Sequence, residues 1–114
     1  MAYNEGLAER MRAAVAGRRG LTEKKMFGGV AFMLNGNMFC GVVKDDLMVR
    51  VGPEHHERAL AQAYARPMDF SGRPMKGMVY VGPEGCRTDK SLKWWLDQGL
   101  KFALSLPAKK AQSA

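Results

Sequence analysis

The side chains able to do chemistry are few, and their spacing does not assemble a catalytic set. Cys40 and Cys86 are the only cysteines, and neither a CxxC pair nor Cys/His ligand spacing joins them. Cys40 falls in the apolar run Met38-Phe39-Cys40-Gly41-Val42-Val43, where a buried structural thiol is expected. His55 and His56 are adjacent. On a helix they diverge, so they do not form the i, i+4 pair of HExxH, and no third ligand accompanies them. Two exposed histidines are expected. Asp45-Asp46 is a carboxylate pair in a turn, without the burial that sets one carboxyl apart from another in acid–base catalysis. Gly28-Gly29 could cradle a phosphate only with a helix N-terminus behind it and a motif such as GxxxxGK[ST], and both are missing. There is no GxSxG. The expectation is a non-enzymatic protein with no cofactor and no metal.

The elements that would carry these residues are readable from periodicity. Residues 24–51 form the organising stretch, read as three short strands and two turns. Asn35-Gly36 is a hairpin signal, because a two-residue type I′ turn needs positive φ at both positions. Before it Val30, Phe32 and Leu34 alternate with Ala31 and Met33; after it Met38, Cys40 and Val42 alternate with Phe39, Gly41 and Val43. Lys44-Asp45-Asp46 makes the second turn, and Leu47, Val49 and Val51 form one face of the next strand. Paired glycines at 28 and 29 suggest a bulge, a sharp bend or a close backbone approach.

Helices flank this stretch. The first runs from Tyr3 or Asn4 to Ala16, with Leu7, Met11, Ala14 and Val15 on its apolar side and Gly17 and Gly20 beyond it. Pro53 opens a second, whose apolar face is Ala59, Leu60, Ala63 and Tyr64 and which Arg66-Pro67 ends. Met68–Phe70 and Met75–Val81 read as strands around a turn at 71–74. The last helix is capped by Thr88 or Asp89 and carries Leu92, Trp95, Leu96, Gly99, Ala103 and Leu106 in one stripe, with Trp94 off to its side. Methionines in strands fill core gaps; a Met-rich binding surface is the alternative.

A chain of 114 residues, 46% hydrophobic and 25% charged, suits one domain, expected over residues 1–107 with a disordered basic tail at 108–114. No apolar run is long enough to span a bilayer, and MAYNEGLAERMR lacks the pattern of a secretory signal. A cytoplasmic protein without membrane contact is expected. The net charge is +7, which favours acidic partners such as nucleic acid and also serves solubility. The basic residues are spread through every segment.

The order helix, three strands, helix, one or two strands, helix, together with Lys25-Met26-Phe27-Gly28-Gly29, Asn35–Phe39, Leu47–Val51, Gly72-Arg73-Pro74-Met75 and Tyr80-Val81, resembles the N-terminal domain of the TfoX/Sxy family from Leu7 to Leu104. The resemblance implies an α+β fold, two layers of the α-β(3)-α-β(2)-α kind, with a mainly antiparallel sheet packed on helices. It also implies a role in transcription regulation: full-length members are implicated in natural competence, acting with a cyclic-AMP receptor protein at promoters of DNA-uptake genes. Those members carry a second, helical C-terminal domain, whereas this chain is expected to stand alone. The family brings no catalytic residues to carry over. The expected function is a regulatory module that contacts a transcription-regulatory protein, with Arg18, Arg19, Lys24, Lys25, Arg73 and Lys76 as candidate contact residues. The alternative is direct nucleic-acid binding through the same charges, with Arg50 and Tyr80 as a stacking platform. A homodimer, formed through an open strand edge or Trp94, is a further expectation.

Overall fold

In the computed structural model the described residues are 3–26, 28–70 and 73–107, with side chains described for all of these except 26, 68–70 and 73–75. Of the turn expected at 71–74, residues 71 and 72 lie outside them, as does the tail expected at 108–114, while 73 and 74 already belong to a strand. The elements run α1 (Glu5–Ala14), β1 (Leu21–Met26), β2 (Gly29–Leu34), β3 (Asn37–Val43), β4 (Asp46–Arg50), a 3-10 turn (Pro53–His55) leading into α2 (His56–Leu60), β5 (Ala65–Phe70), β6 (Arg73–Val81), a second 3-10 turn (Pro83–Cys86) and α3 (Asp89–Leu104). The strands form one sheet in the order β1-β2-β3-β4-β6-β5, and every pairing is antiparallel. This is the α+β, two-layer architecture implied by the sequence.

One strand more than expected precedes α2. The break at Gly28-Gly29 is a hairpin connection, with Met26 paired to Gly29 and Gly28 at φ +76. Gly29 is also a close approach: a Cβ there would stand 1.8 Å from the Val42 carbonyl oxygen. Asn35 and Gly36 take φ +52 and +83, the left-handed pair that a type I′ hairpin requires.

Alternation holds along β2 and slips in β3. Phe32 pairs with Cys40 and Met33 with Met38, leaving Phe39 as an extra residue in a bulge. Phe39 and Cys40 therefore both join the buried core, while Met38 turns to the other face with Met33. Helix α3 lies directly on this bulge. A Cβ on Gly99 would come within 2.3 Å of the Phe39 carbonyl oxygen, so only glycine lets the helix sit so close.

The main core lies between one sheet face and the helices. Phe32, Leu34, Val42, Leu47, Val49 and Val79 meet Leu7 and Met11 of α1 and Leu92, Trp95 and Leu96 of α3. Asn4 caps α1 by accepting from the Leu7 N–H, and Thr88 caps α3 by accepting from the Ser91 N–H. In α1, Ala8 is buried where Ala14 had been expected. The opposite sheet face carries a smaller cluster of Ala31, Met48 and Met78, with Met33, Met38, Val43 and Tyr80 against it. Met48 and Met78 are buried here, as expected of gap-filling methionines, whereas Met33 and Met38 are half-buried, and the side chains of residues 26 and 75 lie outside the described ones.

Helix α2 is far shorter than its apolar periodicity predicts. It ends at Leu60, and Arg66 and Pro67 belong to β5. Ala63 and Tyr64 lie in the intervening turn, exposed, with Tyr64 at φ +70. The left-handed backbone at Tyr64 reverses the chain in place of a further helical turn.

Candidate binding clefts on the outer face of helix α3

Each expected chemical group has a structural position. Cys40 is fully buried and Cys86 nearly so, and both are free thiols. Burial pushes the Cys40 thiol well above its ordinary pKa, and burial, partly offset by Arg10, raises that of Cys86. A thiol held protonated in this way is a poor nucleophile. His55 is exposed, as expected, but His56 is half-buried. Its Nδ1 accepts the Gly77 N–H at 2.9 Å, tying the start of α2 to the middle of β6. Among the described residues no group of three His, Cys, Asp or Glu side chains is arranged to hold a metal. Asp45 lies in its turn and is exposed, while Asp46 begins β4 and pairs with Arg66.

The candidate contact residues are not gathered into one patch. Arg18 and Arg19 are exposed in the loop after α1, and Lys24 and Lys25 are exposed on β1. Lys24 and Lys25 are successive strand residues, so they project from opposite faces. Lys76 is exposed on β6, and Arg73 begins that strand. Strands β2, β3 and β4 stand between β1 and β6. The proposed stacking pair is already engaged: the Arg50 guanidinium lies 5.0 Å over the Phe102 ring, and that of Arg66 lies 5.1 Å over Tyr80.

The clefts lie elsewhere, along the outward side of α3. Trp94 and Trp95 follow one another in the helix, so their rings diverge. They meet edge-to-face, at 87° with centroids 4.8 Å apart. Trp95 is buried in the core, whereas Trp94 is 40% exposed, braced from behind by its neighbour. On one side of Trp94 is an open groove of about 650 Å³, bounded by Tyr64 and Gly85 and rimmed by Glu84, Lys90, Lys93 and Asp97. Tyr64 is 58% exposed, so two large aromatic surfaces flank this groove. On the other side is a second cleft of about 610 Å³, floored by Val51 and Gly52 and walled by Arg58, Trp94, Lys101 and Phe102. Its floor is pinned, because the Val51 and Gly52 N–H groups both donate to the Gly77 carbonyl oxygen, at 2.8 and 3.1 Å.

Trp94 therefore stands between two concave surfaces built by α3 with the Tyr64 turn and with α2. Sequence reasoning placed Trp94 off the apolar stripe but missed Tyr64, Arg58 and Lys101 as its neighbours. The sequence matches the TfoX N-terminal domain family over residues 13–103. This chain belongs to that family. Comparison with curated proteins and with solved structures yields no match. Among the described residues, no helix is long and apolar enough to cross a membrane.

Proposed function

We propose that this TfoX N-terminal domain is a small, non-catalytic, cytoplasmic regulatory module that contacts a transcription-regulatory protein through the groove between Tyr64 and Trp94. The observation that carries the docking site is this exposed aromatic pair across one concavity. Aromatic side chains that become covered on binding contribute most of the energy at protein interfaces. The rim has both signs, Lys90 and Lys93 against Glu84 and Asp97. Such a rim suits a protein segment with a central apolar side chain and flanking charges, whereas a phosphate backbone calls for a uniformly basic surface. The TfoX/Sxy resemblance supplies the regulatory setting, including competence. Protected thiols and the scattered acidic and histidine residues support the non-catalytic reading.

The test is affinity capture from native extract at low and high salt, with and without nuclease, using the wild type and a Tyr64→Ala/Trp94→Ala variant. The expected result is recovery of transcription-regulatory proteins that survives nuclease and is lost in the variant. Loss of every partner on nuclease treatment would instead identify nucleic acid as what the basic surface holds. Equal recovery by the variant would remove the groove from the interface.

A further inference from the structure

We infer that the second cleft, between α2 and the outward side of α3, is a binding site for a small aromatic anion. Three independent features converge there. The first is size and shape: about 610 Å³ lies within the range of small-molecule sites, which are concave and largely preformed. The second is a pair of ring surfaces. Trp94 and Phe102 both line the cleft, and both are fixed from behind. Trp94 rests on buried Trp95. The Phe102 ring is wedged against Gly52, where a Cβ would stand 2.4 Å from it, and carries the Arg50 guanidinium over its face.

The third is charge. Arg58 of α2 and Lys101 of α3 both line the cleft, as does His55, and Glu54 is the one carboxylate in the lining. Among the described residues the ion pairs are Arg10–Asp89, Arg12–Glu23 and Arg66–Asp46. Arg58 and Lys101 belong to none of them. Two cations outside these ion pairs, in a cavity with aromatic lining and one carboxylate, suit a planar ring that stacks on Trp94 and bears a carboxylate, sulfonate or phosphate held by Arg58 and Lys101. The Tyr64 groove offers no such arrangement, since its lysines are offset by Glu84 and Asp97. The cleft thus complements an anion where the groove complements a protein segment, and Trp94 is the wall they share.

The experiment uses two dyes that differ in charge: 8-anilinonaphthalene-1-sulfonate, an aromatic anion, and N-phenyl-1-naphthylamine, its uncharged counterpart. Each is titrated at low salt into the full chain and into the folded variants Arg58→Gln/Lys101→Gln and Tyr64→Ala, following dye emission and tryptophan quenching. The site predicts saturable one-to-one binding of the sulfonate. Removing both cations should weaken it about tenfold or more, the equivalent of losing one charge-assisted hydrogen bond, while Tyr64→Ala leaves it unchanged. The uncharged dye should bind more weakly and ignore the charge variant. Equal sulfonate binding by the wild type and Arg58→Gln/Lys101→Gln would overturn the proposal. So would equal binding of the two dyes by the wild type, or loss of sulfonate binding in Tyr64→Ala. Because Tyr64 lies outside this cleft, failure here leaves the protein-docking groove to its own test.

Discussion

The two sides of α3 are built from the same run of sixteen residues and do opposite work. The inward side presents Leu92, Trp95, Leu96, Gly99 and Ala103 to the sheet. The outward side presents Trp94, Gln98 and Lys101 to two clefts. Trp94 and Trp95 show the contrast within one peptide bond. The buried ring holds the helix to the sheet, and the exposed ring, braced against it, is left available for a ligand. A large apolar side chain that is rigidly held yet uncovered has been placed at the cost of solvent exposure, which makes it a candidate for recognition.

Substitutions on the two sides should separate stability from binding. The largest effect belongs inside: Trp95→Ala should cost about 3–5 kcal/mol of stability, the usual range for emptying a buried aromatic site, read by urea denaturation. Next comes Gly99→Ala. In an exposed helix this change stabilises by about 1 kcal/mol. Here the added methyl meets the Phe39 carbonyl oxygen, so the sign should reverse, to a loss of about 1–3 kcal/mol from overpacking. A stabilised Gly99→Ala would mean that α3 does not rest on the bulge. Outside, Trp94→Ala should change stability by about 1 kcal/mol or less, seen as a small shift in thermal midpoint, while abolishing binding at the groove.

The smallest expected effect lies away from both clefts. The Glu23 carboxylate accepts two hydrogen bonds from Arg12, at 2.6 and 2.9 Å, and the Arg12 guanidinium holds the Glu23 pKa below its ordinary value of 4.5. A depressed folded pKa stabilises the native state above the unfolded pKa, and that stabilisation fades as pH falls through the folded one. Both side chains are substantially exposed, so the pair should contribute below about 1 kcal/mol. Arg12→Gln should flatten the acid limb of the stability–pH curve below pH 4.5 and leave neutral binding intact. An unchanged acid limb would show that the pair adds nothing.

Much of this division could be read from residue order, and the rest has local physical causes. The α3 stripe, the off-stripe Trp94 and the Asn35-Gly36 turn are each set by neighbours a few positions away, so periodicity and turn chemistry reveal them. Strand β1 was harder: Thr22, Glu23, Lys24 and Lys25 are exposed edge residues, and an edge strand need not alternate. The bulge at Phe39 breaks period two without any glycine or proline to mark it. Helix α2 was overextended because Ala63 and Tyr64 continue its apolar spacing, whereas the chain reverses at Tyr64. The anion cleft joins Arg58 with Lys101, which only the packing of α2 beside α3 brings to one cavity. Basic residues chosen by local density therefore pointed to β1 and the loop before it, where the sheet separates them from β6.

The most direct test of the divided helix is recovery of transcription-regulatory proteins from nuclease-treated extract by the wild type and by Trp94→Ala, compared at matched thermal stability. The wild type should retain such a partner and the folded Trp94→Ala protein should lose it. The same partners on both proteins, or none on the wild type, would contradict the claim that the outward side of α3 is the recognition surface.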